Sequence, residues 1–561
     1  MKSLRALVAL SPLVLATLPL ACAAQSQSDV GESSVQNAEA LQADYSYVGQ
    51  SVIAKLQSSD ASARLHTWNA STGNTFNGDW LMQAPLSKYW GAPLSSLPVT
   101  TDCDPNADAS CDPDFLLRAC NTDADCIYGG TCTTLASTVW TPGDAPYALC
   151  AGHSDALVDD VYTTITSAQR FVDITSLSAP DGRFLAAIRN GLTFLSQTGR
   201  SIEVRVLVGN YPGEYSETTA MLHDLTRDLP SGTALSVSVA AYRYGLDSWN
   251  HAKIVAVDGR RAIVGGMNLW TQHYLNKDAV HDVSIRLDGP AAGDAHRFAN
   301  ELWNFTCNSW SFGGSTQVTS YPGDTSRCPA MFNDALASVS GGAHVIAVGR
   351  LGKIGNEAAD DAILSMIGAA KKTVYLAQQD LGPVQKGGIA LASWPAPLLD
   401  QLARALARGV DVYLVLSNQN STAGGLGSVS GGYSNGYSAA TTAGKIADYA
   451  RAHANYFASG TDFNALLCTH LHVAPLRSSS DDMWPDGTPL ALHAKTLIID
   501  GIAFYVGSQN LYPANLAEYG FIVDDAATAQ TYVDGFWANA WKYSSRVAVS
   551  GSETTSCQIK K

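Results

Sequence analysis

Beyond its first two dozen residues the chain has no uncharged apolar run long enough to cross a bilayer as a helix. Basic charge is also scarce. There are 35 Lys and Arg against 50 Asp and Glu, a formal net charge of −15. Such a surface repels a phosphate backbone at long range, which argues against nucleic acid as a partner. A single phosphodiester in a local basic pocket is still allowed. Metal-ligand patterns are thin as well. His470 and His472 are spaced like a ligand pair, but no third ligand stands near them, and strand packing is the plainer reading. Asp102, Asp104, Asn106 and Asp108 alternate as calcium ligands do, yet the glycine of such a loop is missing, so they read as turn residues. No metal and no cofactor is expected.

What the sequence does hold is a polar cassette written twice. LHAKTLIIDGIAFYVGSQNLY, residues 492–512, carries His493, Lys495, Asp500, Gly507, Ser508 and Asn510. NHAKIVAVDGRRAIVGGMNLW, residues 250–270, carries His251, Lys253, Asp258, Gly265, Gly266 and Asn268 in the same order. Residues 496–499 are largely apolar and read as a buried strand. His493 and Lys495 stand two apart, which on a strand points both side chains to one face. Asp500-Gly501 is a turn, and residues 503–506 return as a second strand, so each cassette reads as a hairpin. Gly507-Ser508, like Gly266 in the other copy, lets backbone come close to a ligand. Asp258 and Asp500 each precede a turn glycine and read as structural. One copy alone could be a strand with a buried histidine and a lysine reaching for solvent. Two copies with matching glycine and asparagine offsets point to a site.

Facing each other, the copies offer two imidazoles, two ammoniums and two amides. That set suits a tetrahedral phosphate. Lys253, Lys495, Asn268 and Asn510 can hold non-bridging oxygens and stabilise the charge that develops on them. His251 and His493 can divide the covalent work, one attacking phosphorus and the other protonating the leaving oxygen. Each imidazole needs a partner on its second nitrogen to fix tautomer and ring angle. Asp282, in HDVSIRL, and Glu518, in AEYGFIV, are the candidates. The plain alternative is a strand-edge acid in water.

The first residues, MKSLRALVALSPLVLATLPLACAAQS, have the basic start, short apolar run and small-residue end of a secretory signal peptide over 1–24. Cleavage is expected near Ala23 or Ala24. Lipid anchoring at Cys22 is the weaker alternative, because Pro19 and Leu20 fit its recognition pattern poorly. Residues 25–45 are polar and read as a flexible tail. Setting Cys22 aside leaves ten of eleven cysteines, an even number that favours disulfides in an exported chain. Cys103, Cys111, Cys120, Cys126, Cys132 and Cys150 crowd into a polar insert at about 101–150, expected to be cross-linked because it has little core of its own. Cys307 and Cys328 are expected to pair. Cys468 and Cys557 have no obvious partners.

The 561 residues are ample for two domains with large cores. Helix-like runs at 156–167 and 183–196 alternate with strand-like runs at 171–177 and 202–208. The first cassette, a strand at 283–287 and a helix at 293–303 follow. After a Gly/Ser junction near 338–343 the order recurs. Helices at 356–370 and 396–408 alternate with strands at 373–377 and 410–416, before the second cassette, a strand at 520–523 and a helix at 528–543. Two rounds of βα units imply two α/β layers related by duplication, with halves at 46–340 and 341–557 and a site in the cleft between them. Residues 418–438, rich in Gly, Ser, Asn and Thr, form a long loop of the kind that covers sites, or an ordinary linker.

These residues resemble a known family. Paired H-x-K-x4-D motifs mark the phospholipase D superfamily. SWNHAKIVAVDG, GGMNLW, LHAKTLIIDG, AFYVGSQNLYPANLAEYGFIV, SGGYS and LAQQDL are similar to segments of its secreted bacterial phospholipases D. The similarity runs from about residue 155 to 543, more weakly through DWLMQAP at 79–85, and leaves out the cysteine-rich insert. It implies an α/β fold of two homologous α/β/α sandwich halves, related by a pseudo-twofold axis, with one active site at their interface. It implies His251 as nucleophile and His493 as general acid, then base. Lys253, Lys495, Asn268 and Asn510 would bind phosphate, and Asp282 and Glu518 fall where the family's histidine-orienting acids fall. Trp270, Tyr274 and Tyr433 match positions that line the headgroup pocket, where an aromatic wall suits a quaternary ammonium. Gly266 and Ser508 are expected beside the substrate. The implied activity is that of a secreted, monomeric phospholipase D. It acts at a bilayer or micelle surface on glycerophospholipids such as phosphatidylcholine, with water or a small alcohol as acceptor. The rival readings are a nuclease, a phosphatidyltransferase, and a cysteine-rich adhesion or lipid-binding protein on an inactive scaffold.

Overall fold

The computed structural model describes residues 44–59, 67–210, 216–245, 247–308, 318–334, 341–353, 357–386, 389–421, 433–551 and 556–559. The expected leader, the tail through residue 43, part of the 338–343 junction and most of the 418–438 loop lie outside the described residues. Tyr45–Lys561 forms one compact unit.

Two sheets carry this unit, and six strands of each repeat one order. In the first sheet Leu235–Tyr244, Ile202–Gly209 and Phe171–Ser176 lie side by side and parallel. Ile254–Val257, Arg261–Gly265 and Asp282–Asp288 continue it antiparallel. In the second sheet Leu471–Pro475, Asp411–Leu416 and Thr373–Gln378 are the parallel set. Lys495–Ile499, Ala503–Gly507 and Ala517–Val523 continue it antiparallel. Parallel neighbours need crossovers, supplied here by helices Gly182–Gln197 and Thr218–Thr226 in one half and Ala396–Ala407 and Ala439–Ala452 in the other. Strands covered on both faces read as unbroken apolar runs, which is why the cassette strands were legible. Leu235–Tyr244 and Leu471–Pro475 were not, because one alternates with serine and the other is short. The helix expected over 528–543 is present as a continuous helical run, with one π turn inside it. That turn, Val533–Trp537, lies between Ala526–Tyr532 and Ala538–Ser544.

The two halves are interleaved near the start of the unit. Helix Tyr47–Ser58 packs on Ala358–Ala369, and Trp68–Asn74 adds an edge to the second sheet against Ala343–Leu351. Leu81–Ala84 then pairs with Asp282–Asp288 in the first sheet. Helix Tyr47–Ser58 by packing and strand Trp68–Asn74 by pairing therefore belong to the C-terminal half. Tyr45, expected in the tail, is buried, and its hydroxyl donates to the Ser71 carbonyl at 2.9 Å.

Between the sheets, Ala262, Val264 and Ile285 of the first share a core with Phe504, Val506 and Phe521 of the second. Helix Ala291–Asn308 adds Ala295, Phe298 and Leu302 to it. Each large side chain buried here stabilises by about 1.5–3 kcal/mol, so the seam between halves is also a core. The insert is held by Cys103–Cys111, Cys120–Cys132 and Cys126–Cys150. It docks through Phe115, Leu117 and Leu149, and through buried Arg183, which reaches Asp102 at 2.8 Å and Asp155 at 3.2 Å. Asp104 and Asp108 accept the N–H groups of Asn106 and Ser110, as turn residues do. Cys307 pairs with Cys328, and Cys468 pairs with Cys557 across 89 residues. His470 sits 2.6 Å from Asp411 and His472 stacks on Tyr413, so each histidine has its own packing partner.

Asp258 and Asp500 both have φ 54° at their turns. Asp258 accepts the N–H groups of Gln169, Arg170 and Phe171 at 2.7, 2.9 and 2.9 Å. Asp500 accepts those of Lys371, Lys372 and Thr373 at 2.9, 2.8 and 2.7 Å. Each pins its hairpin to the start of the neighbouring parallel strand. Asp500→Ala removes the acceptor of all three donors and leaves an alanine at positive φ. It also takes the acceptor from the Tyr47 hydroxyl, and is expected to lower the unfolding free energy by about 2–3 kcal/mol, read as a lower urea midpoint at unchanged m-value.

Candidate active site

Two backbone bridges bring the cassettes together. The N–H of His251 donates to the Ala517 carbonyl at 2.8 Å, and the N–H of His493 donates to the His281 carbonyl at 2.8 Å. Each histidine thus meets the residue just before the acid of the other half. A crossed pairing results. His251 Nδ1 lies 2.8 Å from Glu518 Oε2, and His493 Nδ1 lies 2.7 Å from Asp282 Oδ2. Spacing along the chain left open which acid serves which imidazole; the packing of sheet on sheet decides it. With both Nδ1 atoms engaged, the Nε2 atoms are left to meet a ligand. The two rings stand 6.5 Å apart between centroids at 80°, room for one tetrahedral group between them.

The cations and amides surround this gap. Lys253 Nζ donates to the His251 carbonyl at 2.7 Å, and Lys495 Nζ donates to that of His493. Each lysine spends one of three protons on its own strand and keeps the others for a ligand. Asn268 Oδ1 accepts from the Leu177 N–H at 3.4 Å, while its buried Nδ2 has no partner among the described residues. Asn510 Nδ2 donates to the Tyr512 hydroxyl at 2.9 Å and its Oδ1 is unpartnered. Turned about its last bond, Asn510 accepts from that hydroxyl and frees Nδ2, matching Asn268.

Around these groups the halves differ. A Cβ on Gly266 would lie 2.1 Å from Asp282 Oδ1 and 3.0 Å from the His493 carbonyl. Gly266 therefore makes room for the acid rather than for a ligand. Ser508, at the matching position, fills that space and donates its hydroxyl to Glu518 at 2.6 Å. Tyr274, expected on the headgroup wall, is fully buried, and its hydroxyl donates to Asp282 at 3.0 Å. It stands behind the imidazole. Tyr433 does face the site, with its ring 4.9 Å from that of His493 and its hydroxyl on His273. Half-buried Trp270 lies 5.0 Å from His273 and donates to the Ala179 carbonyl at 3.2 Å. The sequence reading missed His273, although it sits one residue before Tyr274. It also gave no role to Asp380 of LAQQDL, the lone acid at the end of an apolar strand.

Electrostatics divide the two pairs. Burial pushes His251 down to about 4 and His493 well below the usual imidazole range, the latter helped by Lys495 and Lys253. Burial also lowers Lys253 to about 8 and Lys495 well below its usual value. Two desolvated lysines on one gap suit the binding of an anion, which would favour their charged forms. Burial works on Glu518 in the opposite direction, but His251, Lys253 and the Ser508 hydroxyl outweigh it and keep that carboxyl below its usual range. Asp282, where burial wins, is raised to about 6. The Glu518–His251 pair therefore keeps an anion on Nδ1–H and a free lone pair on Nε2, as a nucleophile needs. The Asp282–His493 pair holds a proton to higher pH, as an acid needs.

Two solved structures overlap the chain loosely. Phosphatidylserine synthase from Haemophilus influenzae Rd KW20 is 13% identical at TM-score 0.44, over 73% of this chain and 88% of that one. Polyphosphate kinase from Porphyromonas gingivalis is 12% identical at TM-score 0.36, over 68% of this chain and 47% of that one. Sequence comparison is far more specific. The family described as cardiolipin synthase, PLD-like domain matches residues 161–303 and 363–541, which include both histidines, both lysines and both crossed acids. A Streptomyces antibioticus protein named phospholipase D is 32% identical over 470 residues, 73% of this chain and 81% of its own. By its duplicated cassettes, its one shared site and these matches, the chain belongs to the phospholipase D superfamily of phosphodiesterases.

Proposed function

We propose that this protein is an exported phospholipase D that hydrolyses glycerophospholipids such as phosphatidylcholine to phosphatidic acid and the free headgroup alcohol. The observation that carries the reading is the pair of imidazoles 6.5 Å apart, each backed by a carboxylate of the opposite half. His251 Nε2 attacks phosphorus, and the bond from phosphorus to the headgroup oxygen breaks. His493 gives its Nε2 proton to that oxygen. Lys253, Lys495, Asn268 and Asn510 hold the non-bridging oxygens as their charge grows. The phosphatidyl-histidine then meets water. Neutral His493 takes the water's proton, the hydroxyl oxygen bonds to phosphorus, and the P–N bond breaks to release phosphatidic acid. A small alcohol can replace water at the same step, giving transphosphatidylation. Trp270 and Tyr433 supply the aromatic faces that a quaternary ammonium favours. Five disulfides support an oxidising destination outside the cytosol.

Three outcomes are expected. With a phosphatidyl ester of a phenol, whose leaving group needs no proton, His493→Asn is expected to accumulate lipid bound to the protein. His251→Ala is expected to hold none by mass spectrometry of the chain quenched in alkaline denaturant, where the P–N bond survives, with turnover down at least about 10²-fold in both. An adduct on His251→Ala reverses the assignment of nucleophile and acid. The kcat/KM of choline release is expected to peak on the acid side of neutrality. It rises as His251 loses a proton near pH 4 and falls as the Asp282–His493 pair loses its proton near pH 6, and Asp282→Asn shifts the alkaline limb alone. Added ethanol is expected to leave choline release intact while phosphatidylethanol replaces phosphatidic acid in the products.

A further inference from the structure

We propose that the exposed run Ile389-Ala390-Leu391-Ala392, carried by the hairpin of Gln385–Lys386 with Ile389–Ala390, is the surface by which this protein seats on a phospholipid bilayer. The inference rests on the phospholipase reading and goes further, by naming the element that meets lipid.

Ile389 is 72% exposed and Leu391 49% exposed, and Ala390, Ala392 and Ser393 beside them are exposed too. Consecutive exposed apolar residues are rare on a folded surface unless they make contact with something. Local charge says what they contact. The chain carries a net −15, yet residues 381–399 contain no acid. A bilayer whose headgroups bear phosphate, and which gains anionic phosphatidic acid as turnover proceeds, repels carboxylates and accepts this face. The insert offers a contrast. Its exposed Ile127 and Tyr128 come just after two acids, exposed Asp123 and half-buried Asp125, so they make a poor lipid contact.

The hairpin shares its mount with the active site. Asp380 accepts the N–H of Gly382 at 2.8 Å and that of Asn435 at 3.1 Å, and Asn435 Nδ2 donates to the Gly382 carbonyl at 2.7 Å. Asn435 stands two residues from Tyr433, whose ring lies 4.9 Å from that of His493. Gly382 has no space for a side chain, because a Cβ would lie 2.3 Å from the Tyr437 ring and 3.0 Å from Trp394. Trp394 and Tyr437 close the staple with rings 4.9 Å apart. Lipid seated on residues 389–392 is thus held against a segment fixed to the wall of the phosphate site.

The test uses the full chain. In a His251→Ala background, which consumes no lipid, cosedimentation with large phosphatidylcholine vesicles is expected to weaken at least about tenfold when Ile389→Asp and Leu391→Asp are combined, and to tighten with Ala390→Trp. With His251 restored, the aspartate pair is expected to cut choline release from vesicles by a similar factor. It should leave kcat/KM unchanged on a short-chain phosphatidylcholine kept below its micelle concentration. Unaltered vesicle binding in both variants overturns the proposal. So does a dimer that the aspartate pair converts to monomer in sedimentation velocity, which places a second copy of the chain on this face. Equal loss on monomeric and vesicular lipid also overturns it, because the hairpin then shapes the site. If the unsubstituted protein turns over neither lipid, the phospholipase reading falls, and vesicle binding still decides the docking surface.

Discussion

Each reactive imidazole is held by a carboxylate that the other half of the chain supplies. Everything else in the site depends on that exchange. Neither half alone supplies the carboxylate that holds its own cassette histidine, and neither alone has two cations beside one gap. The backbone bridges from His251 to Ala517 and from His493 to His281 set the exchange, since they place each acid one residue beyond the contact. The apolar seam around Phe298, Phe504 and Phe521 holds the bridges in register and keeps water out. Excluding water strengthens each charge contact in the gap and also makes it costly to leave any charge unpaired. Burial lowers the pKa of both Lys253 and Lys495, so an anion bound beside them would stabilise their charged forms.

The two copies have diverged where chemistry asks for two roles. Glu518 is long enough to reach His251 while accepting from Ser508. Asp282 is shorter, occupies the space Gly266 leaves, and accepts from Tyr274. Similar contacts around unlike carboxyls leave one pair anionic and the other proton-holding. A symmetric scaffold can in this way supply a nucleophile on one side and an acid on the other.

The residues of the paired cassettes were legible because strand geometry is local. A two-residue spacing points His and Lys to one face, a turn aspartate announces the hairpin, and repetition separates the pattern from chance. The cysteine insert was legible by composition. Where the sequence reading fell short, the missing information was packing. The family resemblance implied Tyr274 on the pocket wall, yet the short helix Thr271–Tyr274 turns its hydroxyl onto Asp282. Trp68–Asn74 looked like part of the first half, yet it completes the edge of the second sheet.

The sequence by itself determined the duplicated α/β plan, the residue types of the two cassettes, and the structural place of Asp258 and Asp500, all of which follow from spacing within one strand or turn. Tertiary structure decided that the acids cross, that Gly266 and Ser508 serve carboxylates, that Cys468 finds Cys557, and that the 389–392 run stands on the same mount as Tyr433. Those pairings join residues tens to hundreds of positions apart. No local periodicity reports on them, because only the closing of one sheet over the other brings such groups within a hydrogen bond of each other.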